Sequence, residues 1–374
     1  MNKLNKSIKI CFIAPKAYPL FNPNQEGVFG GAEVDLYYLS TELAKDEHFK
    51  VSFITADYGQ EKEQTIENVR IIKSLTFKEN PLAAAVKIWR ALKRVDAGAY
   101  MIKTYSLGMF LVALFCRVHK RIFLYRSASQ SEGDGSYLKR HRLVGWFSKV
   151  ALRKAEVVFV QNIRDQKNFM KTMAVQSVPI PNAHRLAGLS EQTRDSIIWV
   201  GRSVEVKRPE LFLQLAEQFP QEKFIMICQR ATGDENYENL VNQADKIKNL
   251  RFIQRVPFNE IDGYFRRSKI FVNTSEAEGF PNTFIQACIA GTPILSLNVN
   301  PDGFLDEFHC GIYADDKWQK LIDSLASLLE NERYIELGRN ARKYVEEKHD
   351  IVKIVETYKT IFENLMKAEI SRDH

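Results

Sequence analysis

Glu278 opens the stretch Glu278-Gly279-Phe280-Pro281-Asn282-Thr283-Phe284, an acidic loop containing glycine and proline. An apolar run (270–274) precedes it. An alanine-rich helical pattern follows from about Thr283, stopped by Gly291-Thr292-Pro293, and a second apolar run (294–297) comes next. This order spells strand, loop, helix, strand. Its loop lies at the carboxyl end of a strand, where open α/β sheets bind ligands. A helix start also presents free N–H groups and partial positive charge to an anion. A carboxylate beside such a start suits a ligand with hydroxyls on one side and phosphate on the other, as in a sugar nucleotide. A Glu that only caps the helix is the simpler alternative.

A second group is cationic. Gly201-Arg202 ends an apolar run, and Lys207-Arg208-Pro209 leads into a helix with proline in its first turn, a favoured place for it. Two cations at the carboxyl edge of a sheet can neutralise a diphosphate, Arg as a planar fork and Lys as a point charge. A solvated basic loop would look the same. Gly30-Gly31 opens an earlier helix, and paired glycines let backbone approach a phosphate or sugar closely. The first strand is followed by Pro15-Lys16-Ala17-Tyr18 rather than G-x-G-x-x-G, which disfavours a dinucleotide oxidoreductase. No nucleophile elbow occurs. The seven histidines show no ligand spacing, and Glu132-Gly133-Asp134 reads as a turn, so no metal site is expected.

These groups need rigid elements to hold them. Apolar runs alternate with helical patterns along the first half, pause in a polar, proline-containing stretch at 179–195, and restart at Ile197. The pattern predicts α/β architecture with two doubly wound parallel sheets. The expected domains are 1–183, 184–350 and a closing helix at 351–374 that could return to the first domain. A length of 374 residues suits two domains, and 45% hydrophobic with 26% charged residues is ordinary for a globular protein. No apolar run reaches the roughly 18–20 residues of a membrane span, and the first residues show no secretory pattern. Five scattered cysteines without a CxxC fit a reducing, cytoplasmic setting.

The net charge of +7 is unevenly placed. Residues 138–154 contain no acid and read as one helix. Lys139, Arg142, Trp146, Lys149 and Arg153 share a stripe, with Leu143, Phe147, Val150 and Ala151 on the adjacent face. Such a stripe suits peripheral contact with anionic lipid, Trp146 acting as an interfacial wedge; a solvated face with its Trp in the core is the plain alternative. Nucleic acid is disfavoured because no binding motif accompanies the charge.

Taken together, Gly30-Gly31-Ala32-Glu33, Val160…Pro181-Asn182, Val200-Gly201-Arg202…Lys207-Arg208-Pro209 and Glu278-Gly279-Phe280-Pro281-Asn282-Thr283-Phe284-Ile285-Gln286-Ala287…Gly291-Thr292-Pro293 resemble the family-4-type, retaining GT-B glycosyltransferases. The resemblance spans nearly the whole chain. It implies two Rossmann-like domains facing a central cleft, with no cofactor and no metal. The implied reaction moves a hexose-type sugar from a nucleotide-diphosphate donor to a glycan or lipid-linked acceptor, in bacterial surface polysaccharide synthesis (O-antigen, capsule or exopolysaccharide) at the inner membrane face. By the same resemblance Glu278 would bond the donor hexose, helped by Gly279, Phe280, Pro281 and Asn282. Thr283 and Phe284 would hold phosphate, and Arg202 and Lys207 would stabilise the leaving diphosphate. Gly30 and Gly31 would lie near the phosphates, Arg255 and Val256 would meet the base, and Arg126 and Ser127 would face the acceptor.

Two positions depart from the family pattern. Gln286 stands eight residues after Glu278, where a second Glu would grip the ribose. No His follows the strand ending at Tyr125-Arg126-Ser127. These departures keep two alternatives open: a non-catalytic nucleotide-sugar-binding subunit, or another GT-B enzyme such as a sugar-nucleotide epimerase.

Overall fold

The computed structural model describes residues 7–372 apart from 190, 191, 232, 259 and 331. It divides into two compact units, Met1–Arg185 with Asp350–His374, and Leu186–His349. The divisions thus fall at 185/186 and 349/350, against 183/184 and 350/351 from the sequence.

The first unit is built on eight strands: β1 (Ile8–Ile13), β2 (Phe49–Thr55), β3 (Glu63–Ile66), β4 (Val69–Lys73), β5 (Ala99–Lys103), β6 (Ile122–Arg126), β7 (Val157–Val160) and β8 (Val178–Pro179). Their order is β3-β4-β2-β1-β5-β6-β7-β8, and only the β3–β4 pair is antiparallel. Near-continuous apolar runs such as that of β1 suit strands covered on both faces, and Ile10, Cys11 and Phe12 are fully buried. Helices Pro81–Val95, Leu107–Val118, Arg142–Leu152 and Ile163–Met173 share one apolar core. Their starts are set locally. Asn80 Oδ1 accepts from the Leu82 amide ahead of a Pro81 start, and Ser106 Oγ accepts from the Met109 amide. The β1-to-β2 connection runs the opposite way along the sheet, so right-handed crossover puts its helix, Gly31–Leu43, on the other face. The closing helix Ile351–Arg372 packs on Gly31–Leu43 and β1.

In the second unit six strands are all parallel, in the order β11-β10-β9-β12-β13-β14. They are β9 (Ser196–Arg202), β10 (Lys223–Gln229), β11 (Leu250–Ile253), β12 (Ser268–Asn273), β13 (Ile294–Ser296) and β14 (Gly311–Tyr313). The chain leaves β9 towards β10 and β11, then returns to β12 on its other side. The β9/β12 junction is therefore a topological switch point, and the loops leaving these two strands face a common crevice.

Residues 138–154 do not form one helix. Ser136–Arg140 and Arg142–Leu152 are separate, joined at His141. A Cβ on Gly145 would lie 2.9 Å from Leu138 Cδ2 and 3.0 Å from its Cα, so the two segments cross too closely for a straight rod. Lys139 thus sits on a different helix from Arg142, Trp146 and Lys149, and Arg153 caps the second. Leu143, on the apolar face adjacent to the basic stripe, is 69% exposed. No helix among the described residues is long and apolar enough to cross a membrane.

Candidate active site

The two sequence clusters of the second unit meet at the β9/β12 switch point. After Arg202 the chain makes a single 3-10 turn, Glu205–Lys207, reverses at Arg208 and enters helix Pro209–Gln218. Lys207 Nζ lies 2.5 Å from Glu278 Oε1, with the side chains only 20% and 14% exposed. That oxygen also accepts from Ser275 Oγ at 2.8 Å and Asn273 Nδ2 at 3.3 Å. A half-buried ion pair gains more from Coulomb attraction than a solvated one, because water screens it less. Arg202, the last residue of β9, is exposed at the strand end from which the Lys207 loop departs.

Helix Asn282–Ile289 begins at Pro281, with no side-chain cap at that N-cap position. Its other end is held by two arginines. Arg342 Nη1 donates to the Ile289 carbonyl at 2.8 Å, and Arg194 Nη2 donates to that of Ala290 at 2.6 Å. Cations at a helix C-terminus offset the macrodipole there. Gly291 then stops the helix at φ +64°, and a Cβ on Gly338 would come within 2.2 Å of the Gly291 carbonyl oxygen, so helix Tyr334–Lys348 packs hard against this end.

Gly201 has a packing reason. A Cβ there would meet the Trp199 indole at 2.7 Å, since residues two apart on a strand share a face. The glycine lets a fully buried Trp lie flat beside the strand end that delivers Arg202.

The other expected donor residues line or back the same loop. Gly279, Phe280 and Pro281 are buried, while Asn282 and Thr283 are half-buried. The Phe280 ring stands 4.8 Å from that of His349 and 5.2 Å from that of Phe304, and Phe284 is wholly buried. Its amide donates to the Pro281 carbonyl at 3.0 Å, so the Phe284 N–H expected to hold phosphate is already bonded within the loop. Gln286 is 7% exposed. Val256 is half-buried against the apolar cluster of this unit, and Arg255 is exposed on the segment after β11.

In the first unit Gly30 caps Gly31–Leu43, its amide donating to Glu33 Oε2 at 2.8 Å. Arg126, expected to face an acceptor, does not: it is 1% exposed. Its guanidinium pairs with Asp35 and donates to Tyr358 Oη at 2.7 Å, Asn182 Oδ1 at 2.8 Å and the Ile180 carbonyl at 3.1 Å. Lys103, opposite Arg126 on β5, holds the same Asp35 at 2.7 Å. Burial would raise the Asp35 carboxyl, but the Arg126 and Lys103 charges outweigh it and hold it down to about 2. Burial likewise pulls the Lys103 ammonium down to about 8, with Asp35 opposing. Arg126 is therefore a structural tie between two strands, helix Gly31–Leu43 and the closing helix. Ser127 is also fully buried.

Glu132, read as a turn residue, is buried too. Its carboxylate accepts from Tyr125 Oη at 2.7 Å, the Ala128 amide at 2.8 Å and the Tyr105 amide at 3.2 Å. Burial raises its carboxyl against these donors. The local signal for the Asp35 cluster was two apolar strands ending on Lys103 and Arg126; the carboxylate that joins them is far away in sequence.

Known proteins resemble this chain in sequence and in fold. Residues 183–348 match the family model described as glycosyl transferases group 1. An uncharacterised glycosyltransferase of Haemophilus influenzae is 28% identical over 360 residues, covering 90% of this chain and 97% of its own. The capsular polysaccharide biosynthesis glycosyltransferase CapH of Staphylococcus aureus is 22% identical over 293 residues, covering 75% and 81%. Sucrose-phosphate synthase from Thermosynechococcus elongatus superposes with a TM-score of 0.80 at 16% identity, covering 96% of this chain and 100% of its own. The chain has the GT-B fold of glycosyltransferases. The family match covers its second unit almost end to end, so the segment that matches is the one carrying Arg202, Lys207 and Glu278.

Proposed function

We propose that the enzyme transfers a hexose-type sugar from a nucleotide-diphosphate donor, with retention, to a glycan or lipid-linked acceptor in surface polysaccharide synthesis. The observation that carries this reading is the Lys207–Glu278 pair at the β9/β12 switch point, just before the start of helix Asn282–Ile289. A nucleotide sugar satisfies both members separately. Its diphosphate takes Lys207, Arg202 and the first turn of Asn282–Ile289, and its hexose hydroxyls donate to Glu278. As the anomeric C–O bond breaks, negative charge grows on the diphosphate oxygen. Preorganised cations and a helix dipole are suited to stabilise it, commonly the largest catalytic contribution. These groups neutralise the leaving group without a metal. Gln286, nearly buried on the same helix, offers its amide to the ribose hydroxyls, with a weaker grip than a carboxylate would give.

The donor test is direct. Uridine-, guanosine- and adenosine-diphosphate sugars are screened by thermal shift in EDTA-containing buffer, and the stabilising donor is then followed in single-turnover reactions with labelled sugar. A bound donor raises apparent stability. The expected result is one base class giving both a shift and transfer or slow hydrolysis, with the α- or β-configuration preserved. Tight binding with neither reaction would favour a binding subunit, and an inverted product would remove the retaining assignment.

We also propose that the first unit touches anionic membrane. Helices Pro81–Val95, Leu107–Val118 and Arg142–Leu152 contain no acidic residue. They leave Leu82, Val86, Leu107, Leu114, Val118, Leu143 and Trp146 exposed beside Lys87, Arg90, Lys93, Arg117, Arg142 and Lys149. Trp146 is 60% exposed rather than tucked inwards, which suits an interfacial wedge. Changing Lys139, Arg142, Lys149 and Arg153 to Glu is expected to abolish sedimentation with phosphatidylglycerol vesicles at low salt, each cation contributing about 1 kcal/mol. Undiminished sedimentation removes the membrane role.

A further inference from the structure

Lys207 and Glu278 come from two loops of little regular structure, so their separation depends on what laces those loops together. The Trp199 indole N–H donates to Thr274 Oγ1 at 2.9 Å, and the Thr274 hydroxyl in turn donates to the Lys207 carbonyl at 2.7 Å. The Glu276 amide donates to the Val206 carbonyl at 2.8 Å. Arg208 closes the lacing: Nε donates to the Thr274 carbonyl at 2.8 Å, Nη2 to that of Ser275 at 3.3 Å, and Nη1 pairs with Asp316 at 2.8 Å. Thr274 is fully buried. Arg208 sits at φ 46°, in the left-handed region where glycine is the relaxed choice. A long side chain kept at such a position has its hydrogen bonds as the compensation.

We infer that Thr274 and Arg208 are positioning residues that set the approach of Lys207 to Glu278 and so the efficiency of transfer. The inference rests on the reading of Lys207 as a diphosphate-stabilising group. Thr274 is sealed from any substrate and acts only through the Lys207 backbone. Arg208 acts by pinning residues 274–275, the root of the Glu278 loop. Misplacing a reacting group by about 1 Å can cost on the order of 100-fold in rate.

Thr274→Val keeps the side-chain volume and deletes both hydroxyl bonds. Thr274→Ser keeps the bonds and drops a methyl. The valine variant is expected to lose roughly 10- to 100-fold in kcat with the acceptor KM unchanged, and the serine variant is expected to recover most of that loss. In a Lys207→Ala background the valine change should cost nothing further, because coupled sites are non-additive. A loss of equal size in both backgrounds would show a purely structural role and overturn the inference. So would wild-type turnover of the valine variant. Should the valine variant not fold, Arg208→Gly decides: it relaxes the left-handed backbone and removes the guanidinium. A preserved Tm with lowered kcat supports the inference, and preserved kcat overturns it. If Lys207→Ala itself retains full activity, the proposed reading of the site falls first, and the positioning role falls with it.

Discussion

Replacing Lys207 or Arg202 by alanine is expected to lower kcat by about 10²- to 10³-fold, the range for loss of one preorganised electrostatic stabiliser. Lys207 stands 2.5 Å from Glu278, and Arg202 ends the adjacent strand with its side chain exposed. Neither supports a core, so the melting temperature should move little while turnover collapses. Steady-state kinetics with the donor identified by thermal shift checks this. The Lys207 variant carries a second signature: Glu278 keeps its bonds from Ser275 and Asn273, so hexose recognition survives and the donor KM should change less than kcat. A loss confined to kcat marks an interaction made chiefly in the transition state. Activity of either variant within a few-fold of wild type would falsify the diphosphate assignment.

Asp35→Ala is expected to give the largest stability loss, about 3–5 kcal/mol, because it strands two buried cations without their counter-charge. Lys103 and Arg126 are 5% and 1% exposed, and both converge on this one carboxylate. Urea denaturation of the first unit's transition checks the magnitude. The pH dependence follows from the sign of the shift. Asp35 is held down to about 2 in the fold, below the roughly 3.9 of an unfolded Asp. Its contribution is therefore present above about pH 4 and lost as pH falls towards 2. Lys103 works in the other direction. Its ammonium is depressed to about 8, so the unfolded chain binds the proton more tightly. The associated cost is present below pH 8 and relieved as pH rises towards an ordinary lysine value. An acid limb that persists unchanged in the Asp35 variant would show that other carboxylates set it.

Much of this could be read before any coordinates. The apolar runs of β1, β9 and β12, the Gly291 helix stop and the proline-led start of Pro209–Gln218 are local patterns, and local patterns identify elements. Glu278, Arg202 and Lys207 stood out because charge at the ends of apolar strands falls where α/β sheets bind ligands. Residues 138–154 show the opposite case. Their periodicity describes one helix, but the close approach of Gly145 to Leu138 divides it, and the two pieces pack on residues distant in sequence, Tyr137 on Tyr105 and Phe147 on Phe110.

The sequence by itself determined two α/β units, a switch-point loop with a carboxylate, and cations one strand away. These follow from short-range periodicity and from the order of elements along the chain. Only the tertiary structure decided what each charge does. Glu278 meets Lys207, since the loops after β9 and β12 converge only once the sheet order places those strands side by side. Arg126 became a buried tie instead of an acceptor contact, because Asp35, Asn182 and Tyr358 reach it from positions up to 232 residues away in sequence. Thr274, unremarkable as the last residue of an apolar run, emerged as the joint between Trp199 and Lys207. Long-range partners of this kind leave no local pattern in a sequence.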